Sequence, residues 1–326
     1  METSVVKSFH KNYPRVLIQE NVPLANKNWF RTGGSARFFC EPTTDLAFQD
    51  AVKCATDNSL PLFLLGTGAN ILVSDSGFNG LVIRPQLKDI SIDNQDNTYA
   101  RVTAGAGVLL DDFIEFCLEH NLSGLEEFSG IPGTIGGAVF INLHYFQYLF
   151  DQFLVQAQVI EKNTGIMHTV DNNWFNFGYN QSTLNQGNHF LLNATFKVKK
   201  ISTIEVAFAK GRKQEIIRHR TARYPSKNTC GSFFRNFKSE EVEDQKDKII
   251  HVAYYLDKIG AKRSLFHGGA QVSPQHANMI INTENASSND IIQVARTMQQ
   301  QVKNIFNILP QPECRLIGFD KYPLIT

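Results

Sequence analysis

Between Gly130 and Val139 the chain reads Gly-Ile-Pro-Gly-Thr-Ile-Gly-Gly-Ala-Val, with four glycines, one proline and one hydroxyl. Such a run makes a poor helix and a poor strand. It offers backbone N–H groups with nothing bulky between them and a ligand, which suits an anionic group such as a pyrophosphate. The same run also reads as a glycine-rich turn joining two strands. A second glycine loop, Gly66-Thr67-Gly68-Ala69-Asn70, lies between the apolar runs 61–65 and 71–73. Far downstream, Ser232 stands between Gly231 and the pair Phe233-Phe234. Neither glycine loop is a Walker loop, since no Gly-Lys-Ser/Thr follows, and neither is G-x-G-x-x-G. This argues against a Rossmann fold and for another way of cradling a pyrophosphate.

Several elements must position these loops. The apolar face Ala47, Phe48, Ala51, Val52, Ala55 predicts a helix over 45–57, with Thr44 as its N-cap. Strands at 61–65 and 71–73 bracket the first loop. An alternating strand at 99–104 leads through Gly105-Ala106-Gly107 to Leu109, Phe113, Phe116 and Cys117 at helical spacing. Residues 152–200 are β-rich. Over 201–225, Lys210, Arg212, Lys213, Arg218, Arg220 and Arg223 cluster on a helix, best read as a solvated face. Ser239 to Lys248 reads as an exposed charged loop or helix. A last helix starts near Ser287 with Asp290 completing a capping box, and Ile291, Val294, Met298, Val302 and Ile305 form its core face.

The 326 residues allow two or three domains, and 42% hydrophobic with 19% charged is ordinary for a globular chain. A net charge of +1 gives no electrostatic footprint for nucleic acid or an anionic membrane. The five cysteines, Cys40, Cys54, Cys117, Cys230 and Cys314, form no C-x-x-C pair. Neither a zinc site nor a disulfide framework is expected, and a cytoplasmic location is. Met1 to Glu20 hold no signal-peptide-like apolar run, and no window approaches a membrane span.

The ordered set of motifs resembles the UDP-N-acetylenolpyruvoylglucosamine reductase family from about Asn28 to Gly318. The short spacing from Tyr179 to Ser232 resembles the shorter of that family's two forms. The resemblance implies an α+β protein. Its FAD-binding region, 1–205, would hold two α/β subdomains split near 85, in the flavin-binding fold of the vanillyl-alcohol-oxidase type. A C-terminal α+β substrate-binding domain would span 206–326. It further implies FAD as cofactor, NADPH as hydride donor, a UDP-sugar substrate and a monomer, with no metal.

By the same resemblance, Gly66, Thr67, Gly68, Ala69 and Asn70, with Gly130, Ile131, Pro132, Gly133, Thr134, Gly136 and Gly137, are the flavin-binding loops. Asn28-Trp29-Phe30-Arg31-Thr32-Gly33-Gly34 matches the family's approach to the flavin, with Trp29 where threonine is usual. Ser232 occupies the proton-donor position and Glu313 that of the C-terminal catalytic glutamate. Arg223 falls where a basic residue meets the substrate diphosphate, and Asn236 matches a substrate-contacting asparagine. Gly268–Ser273 and His276-Ala277-Asn278 follow the pattern as packing around the substrate domain.

The departures fall at the chemistry. Ala69 stands for a serine, removing one hydroxyl donor. Asn180, in Tyr179-Asn180-Gln181-Ser182, stands at the family's catalytic arginine, which stabilises the developing enolate. Asn142-Leu143-His144-Tyr145-Phe146-Gln147 replaces Asn-Ala-Gly-Ala-Tyr-Gly, so bulky residues stand where small ones let the backbone approach the flavin. His144 reads either as a new acid–base group or as a surface or packing histidine. Three functions therefore stand beside one another: a working reductase of this family, an FAD-binding paralogue with a binding or regulatory role, and a flavoenzyme with a different substrate. Ser232, Glu313 and Arg223 favour the first.

Overall fold

A computed structural model describes residues 3–262 and 264–326, so that Met1, Glu2 and Arg263 lie outside it. Its helices, in chain order, are α1 (Ser4–Asn12), α2 (Asp45–Asp57), α3 (Leu110–Glu119), α4 (Ile135–Phe140), α5 (Thr203–Arg223), α6 (Val252–Lys258) and α7 (Ser288–Phe306). The chain forms two compact units. Unit 1 is Met1–Glu20, Phe38–Gly66 and Gly80–Arg220, and unit 2 is Asn21–Arg37, Thr67–Asn79 and Thr221–Thr326. The division read at residue 205 falls near the start of α5, and the compact units part at 220/221, in the last turn of the same helix.

Unit 1 holds two apolar cores. One gathers Phe9, Phe38, Phe48, Ala51, Val52, Leu81 and Ile83. Here α2 spans the expected residues, and Thr44 Oγ1 accepts from the Ala47 N–H at 3.2 Å. Strands Leu62–Leu64 and Phe78–Ile83 run parallel, with Leu62 opposite Leu81. This core also takes in Ile160 and Leu192, so the two cores do not divide cleanly at residue 85. The second core lies on an antiparallel sheet in the order Met167–Asp171, Leu154–Glu161, His189–Lys200, Tyr99–Gly105, Ile90–Gln95, with Leu122–Ser123 also beside His189–Lys200. Against it pack Phe113, Ile114 and Cys117 of α3, Ile135 and Val139 of α4, and Phe128 and Phe150. Leu109, read with this face, is the N-cap of α3 and is exposed.

The basic residues of α5 are paired rather than merely solvated. Arg212 forks onto Glu127 at 2.8 and 2.9 Å, and Lys213 reaches Glu115 at 2.7 Å and Asp111 at 3.4 Å. Arg218 meets Glu215 within the helix at 2.9 Å.

Unit 2 is organised around α7. Ser287 and Asp290 form the expected capping box, each side chain accepting from the other's N–H. Ile291, Val294, Met298 and Val302 are buried, but Ile305 is 63% exposed. It lies in the last turn, before Asn307 ends the helix at φ +55°. Strand Ile71–Val73, which follows the first glycine loop, pairs in parallel with Arg315–Ile317, near the other end of the chain. Ser239–Val242 is a short 3-10 turn within the charged segment.

Candidate functional site

In unit 1 the decapeptide folds as a loop that ends in α4. Thr134 is the N-cap, and its Oγ1 accepts from the Gly137 N–H at 3.2 Å. Several of the loop's N–H groups are consumed internally. Ile131 donates to Phe128 O, Ile135 to Val108 O at 2.9 Å and Gly136 to Ala106 O at 2.9 Å. Among the described residues, the N–H groups of Gly133 and Thr134 donate to no protein acceptor. A Cβ built on Gly133 meets nothing within 4 Å, so the loop faces open space there. On Gly136 it would meet Ala106 O at 3.0 Å, so this glycine is needed for packing. Gly66 also approaches this loop: its Cβ would lie 2.9 Å from Thr134 Oγ1. Gly130 adopts φ +71°, and its carbonyl accepts from Arg220 Nε of α5 at 3.3 Å, with Pro132 two residues on.

In unit 2 the rest of the first loop packs on the Asn28–Gly34 segment. Gly68 adopts φ +72°, and a Cβ there would lie 2.6 Å from Lys27 O, a clash with backbone. Its own carbonyl accepts from the Trp29 N–H at 3.0 Å, and Asn70 O accepts from Arg315 N–H at 3.1 Å. The N–H groups of Thr67, Gly68 and Ala69 donate to no protein acceptor among the described residues. Asn28 Nδ2 staples its segment by donating to both Leu24 O and Thr32 O at 2.8 Å.

Unit 2 brings Ser232 and Glu313 onto neighbouring chain segments. Gly231 turns the backbone at φ +79°, and Ser232 pairs antiparallel with Met279. On the other side, the Glu313 N–H donates to Phe233 O at 2.8 Å, and Phe234 pairs with Pro312. Asn278, read from sequence only as packing, clamps this segment. Its Oδ1 accepts from Phe234 N–H at 3.0 Å and its Nδ2 donates to Phe234 O at 2.7 Å. Ser232 and Glu313 are both half-buried, and Phe233 and Phe234 are fully buried. The flanking Cys230 is buried, and burial together with the Cys314 thiol pushes its pKa well up.

Asn236 has a structural use, since its Oδ1 accepts from the Val252 N–H at the start of α6, at 3.3 Å. Arg223 is exposed at the end of α5, with its guanidinium carbon 5.8 Å from the Tyr224 ring centroid. Tyr224 in turn packs on His276, and burial pushes the His276 imidazole down from its ordinary value.

Asn180 lies in unit 1, in a tight turn closed by Gly178 N–H to Gln181 O at 3.0 Å and the reciprocal bond at 3.3 Å. It adopts φ +55°, and both polar atoms of its side chain are shut from solvent without a hydrogen-bond partner. His144 packs its ring on Tyr179, with centroids 4.8 Å apart, and burial pushes its pKa down. Its Nδ1 is likewise buried and unpaired among the described residues. No sequence signal marks these unpaired atoms, because they depend on how two distant turns meet.

Comparison with known proteins gives a consistent picture. Residues 36–171 match the model of an FAD binding domain, and 223–317 match that of the UDP-N-acetylenolpyruvoylglucosamine reductase C-terminal domain. The chain is 32% identical to the UDP-N-acetylenolpyruvoylglucosamine reductase of Synechococcus sp. (strain JA-3-3Ab), over 95% of this chain and 94% of that one. It is 30% identical to the protein of the same name from Clostridium botulinum (strain Alaska E43 / Type E3), over 96% and 97%. The crystal structure of the Thermus caldophilus reductase superposes with a TM-score of 0.74 at 24% identity, covering 93% of this chain and all of that one. At that identity it speaks for a shared fold.

Proposed function

From a chain that belongs to the UDP-N-acetylenolpyruvoylglucosamine reductase family, we infer an FAD-dependent, NADPH-using reductase of the enolpyruvyl group of UDP-N-acetylglucosamine enolpyruvate. The product is UDP-N-acetylmuramate for peptidoglycan, made by a cytoplasmic monomer. The observation that carries this reading is the backbone bond between Glu313 and Phe233, which sets the glutamate beside the serine segment. These are the two groups the reaction needs for its proton and for its substrate carboxylate.

The loops of unit 1 fit the pyrophosphate of FAD on two counts. Gly133 and Thr134 offer adjoining N–H groups unpaired among the described residues, and the space at the Gly133 Cβ position is open. Bound there, FAD would supply the redox chemistry, carrying hydride equivalents from NADPH to one carbon of the enolpyruvyl double bond. The neighbouring carbon would carry the resulting negative charge, and Ser232 Oγ is the group assigned to give it a proton. A serine hydroxyl is a weak acid, so this transfer needs charge to have built on carbon first. Glu313, acting as the acid or through a shared proton, polarises the substrate carboxylate and so favours that build-up. Arg223 suits the diphosphate by its planar fork of donors, and Asn236 can contact substrate through its remaining amide group.

Asn180 supplies no positive charge where the family has its arginine. Losing one preorganised donor to a developing oxyanion costs about 3 kcal/mol, roughly a hundredfold in rate. The enzyme is therefore slow in its second half-reaction rather than its first. Anaerobic reduction of the purified protein by NADPH, followed by mixing with the enolpyruvyl substrate, tests the reading. Reoxidation of the flavin supports it. A reduced flavin indifferent to that substrate would favour the paralogue or the altered flavoenzyme.

A further inference from the structure

Asn278 is 3% exposed, and its carboxamide takes the part that a neighbouring strand plays elsewhere. Its Oδ1 accepts from the Phe234 N–H at 3.0 Å, and its Nδ2 donates to the Phe234 carbonyl at 2.7 Å. Its own carbonyl accepts from the Phe233 N–H at 2.8 Å, and the next residue, Met279, pairs with Ser232. The chain turns here, since the N–H groups of Asn278 and Met279 close back onto His276 Nδ1 and His276 O, at 3.3 and 3.1 Å. The side chain thus adds a rung to a ladder that the turning backbone does not continue. Phe234 is fully buried, so removing the carboxamide would leave both polar groups of its backbone away from water without these partners.

The clamp grips the chain two residues beyond Ser232, and the residue before that serine restrains little. Gly231 stands there at φ +79°, and a Cβ built on it meets nothing within 4 Å. The hold on the serine therefore comes from its C-terminal side, through Phe233 and Phe234. The Asn278 carboxamide is buried and bonded to the protein at both ends, so it acts on the backbone rather than on a ligand. We propose that Asn278 is a positioning residue for proton transfer: by gripping the Phe234 backbone it sets where the Ser232 hydroxyl stands when the substrate carbon takes its proton. A misplacement of about 1 Å can slow such a step by about a hundredfold. The inference rests on the reductase reading above, which makes Ser232 the proton donor.

Asn278→Leu removes both side-chain bonds at similar volume, and stopped-flow times the two half-reactions of the FAD-loaded protein separately. Flavin reduction by NADPH should stay within about twofold of wild type, while the limiting rate of reoxidation by the enolpyruvyl substrate falls by about tenfold or more at little-changed half-saturation. In a Ser232→Ala background the same change should slow reoxidation by less than about twofold, because a residue that acts through the serine has nothing left to position. A full tenfold loss in that background overturns the proposal and leaves Asn278 a support of the surrounding fold. An unchanged reoxidation rate in Asn278→Leu alone overturns it too. If the leucine variant does not fold, Asn278→Asp carries the test. Ionised, its carboxylate meets the Phe234 carbonyl with a second acceptor; burial favours the protonated form, which can donate there again. The wild-type-to-variant ratio of reoxidation rates should therefore shrink as pH falls from about 8 to about 5. His276 beside the clamp, and Glu313, Cys230 and Cys314 on the facing segments, are common to both proteins, so the ratio removes their own pH dependence. A ratio that does not change with pH overturns the proposal and leaves the reductase reading standing. A wild-type protein whose reduced flavin ignores the substrate overturns that reading, and the proposal with it.

Discussion

Gly133→Leu should separate cofactor binding from folding, because the structure gives the two effects opposite signs. Gly133 has no positive φ, and a Cβ there meets no atom within 4 Å. Its carbonyl keeps its bond to the Leu110 N–H at 3.1 Å whatever the side chain. Replacing glycine at such a position stabilises by about 0.4–1 kcal/mol through the unfolded chain, so the deflavinated variant should melt at or slightly above the wild-type temperature. For FAD the effect is a loss. The leucine enters the open space beside the Gly133 and Thr134 N–H groups and is expected to block a ligand there, and a hydrogen bond to a charged group contributes about 1.5–3 kcal/mol. Two such bonds correspond to about 3–6 kcal/mol, or two to four orders of magnitude in Kd. Titration of deflavinated protein with FAD, followed by flavin fluorescence, reads the affinity, and thermal unfolding reads the stability. FAD affinity within threefold of wild type would refute the cradle. A melting temperature several degrees lower would refute the open space. Gly136→Leu is the contrasting control, since its Cβ meets Ala106 O at 3.0 Å and should cost stability before it affects affinity.

Ser232→Ala should leave flavin reduction by NADPH near wild type and slow reoxidation by the enolpyruvyl substrate; stopped-flow traces in which both halves slow equally would mark the serine as structural. Thr44→Ala removes the Oγ1 acceptor of the α2 N-cap and should lower stability by about 1 kcal/mol in denaturant titration, with no change in flavin content. Asp290 feels desolvation, which raises its pKa, but the Ser287 N–H and hydroxyl outweigh it and hold the carboxyl below its ordinary value. A lowered native pKa gives stability that is fully present above the unfolded value and lost as pH falls through the native one. Asp290→Asn should therefore flatten the acid limb of the stability–pH curve, and an unchanged limb would count against the capping box as its source.

Local signals carried most of what the sequence revealed. Thr44 before an apolar face at helical spacing located α2, and Ser287 with Asp290 located the start of α7, because caps and periodicity act within one or two turns. The glycine loops were legible as loops because few other residues tolerate φ +72° at Gly68 beside the Lys27 carbonyl. Which of their N–H groups remain available was not legible. That depends on Val108 and Ala106, whose carbonyls accept from Ile135 and Gly136 across a long stretch of chain. Ile305 kept the α7 period but fell past the end of the packed surface. The partners of Ser232, namely Met279 on one side and the Glu313 segment on the other, come from pairings between distant residues that composition and spacing do not encode.

The interrupted make-up of unit 2 has a consequence for how the chain is born. Phe30 and Leu72 are fully buried in a core otherwise built from residues after Thr229, and strand Ile71–Val73 pairs with Arg315–Ile317. On a ribosome adding about 5–20 residues per second, the early segments emerge on the order of tens of seconds before the residues that cover them. During that interval they present a bare strand edge and uncovered aromatic surface, the combination that chaperones bind and that seeds aggregation. Residues 315–317 thus decide when the Ile71–Val73 strand reaches its native state. A nascent chain stalled before Arg315 should remain bound to a holdase, and release should coincide with synthesis of the final strand.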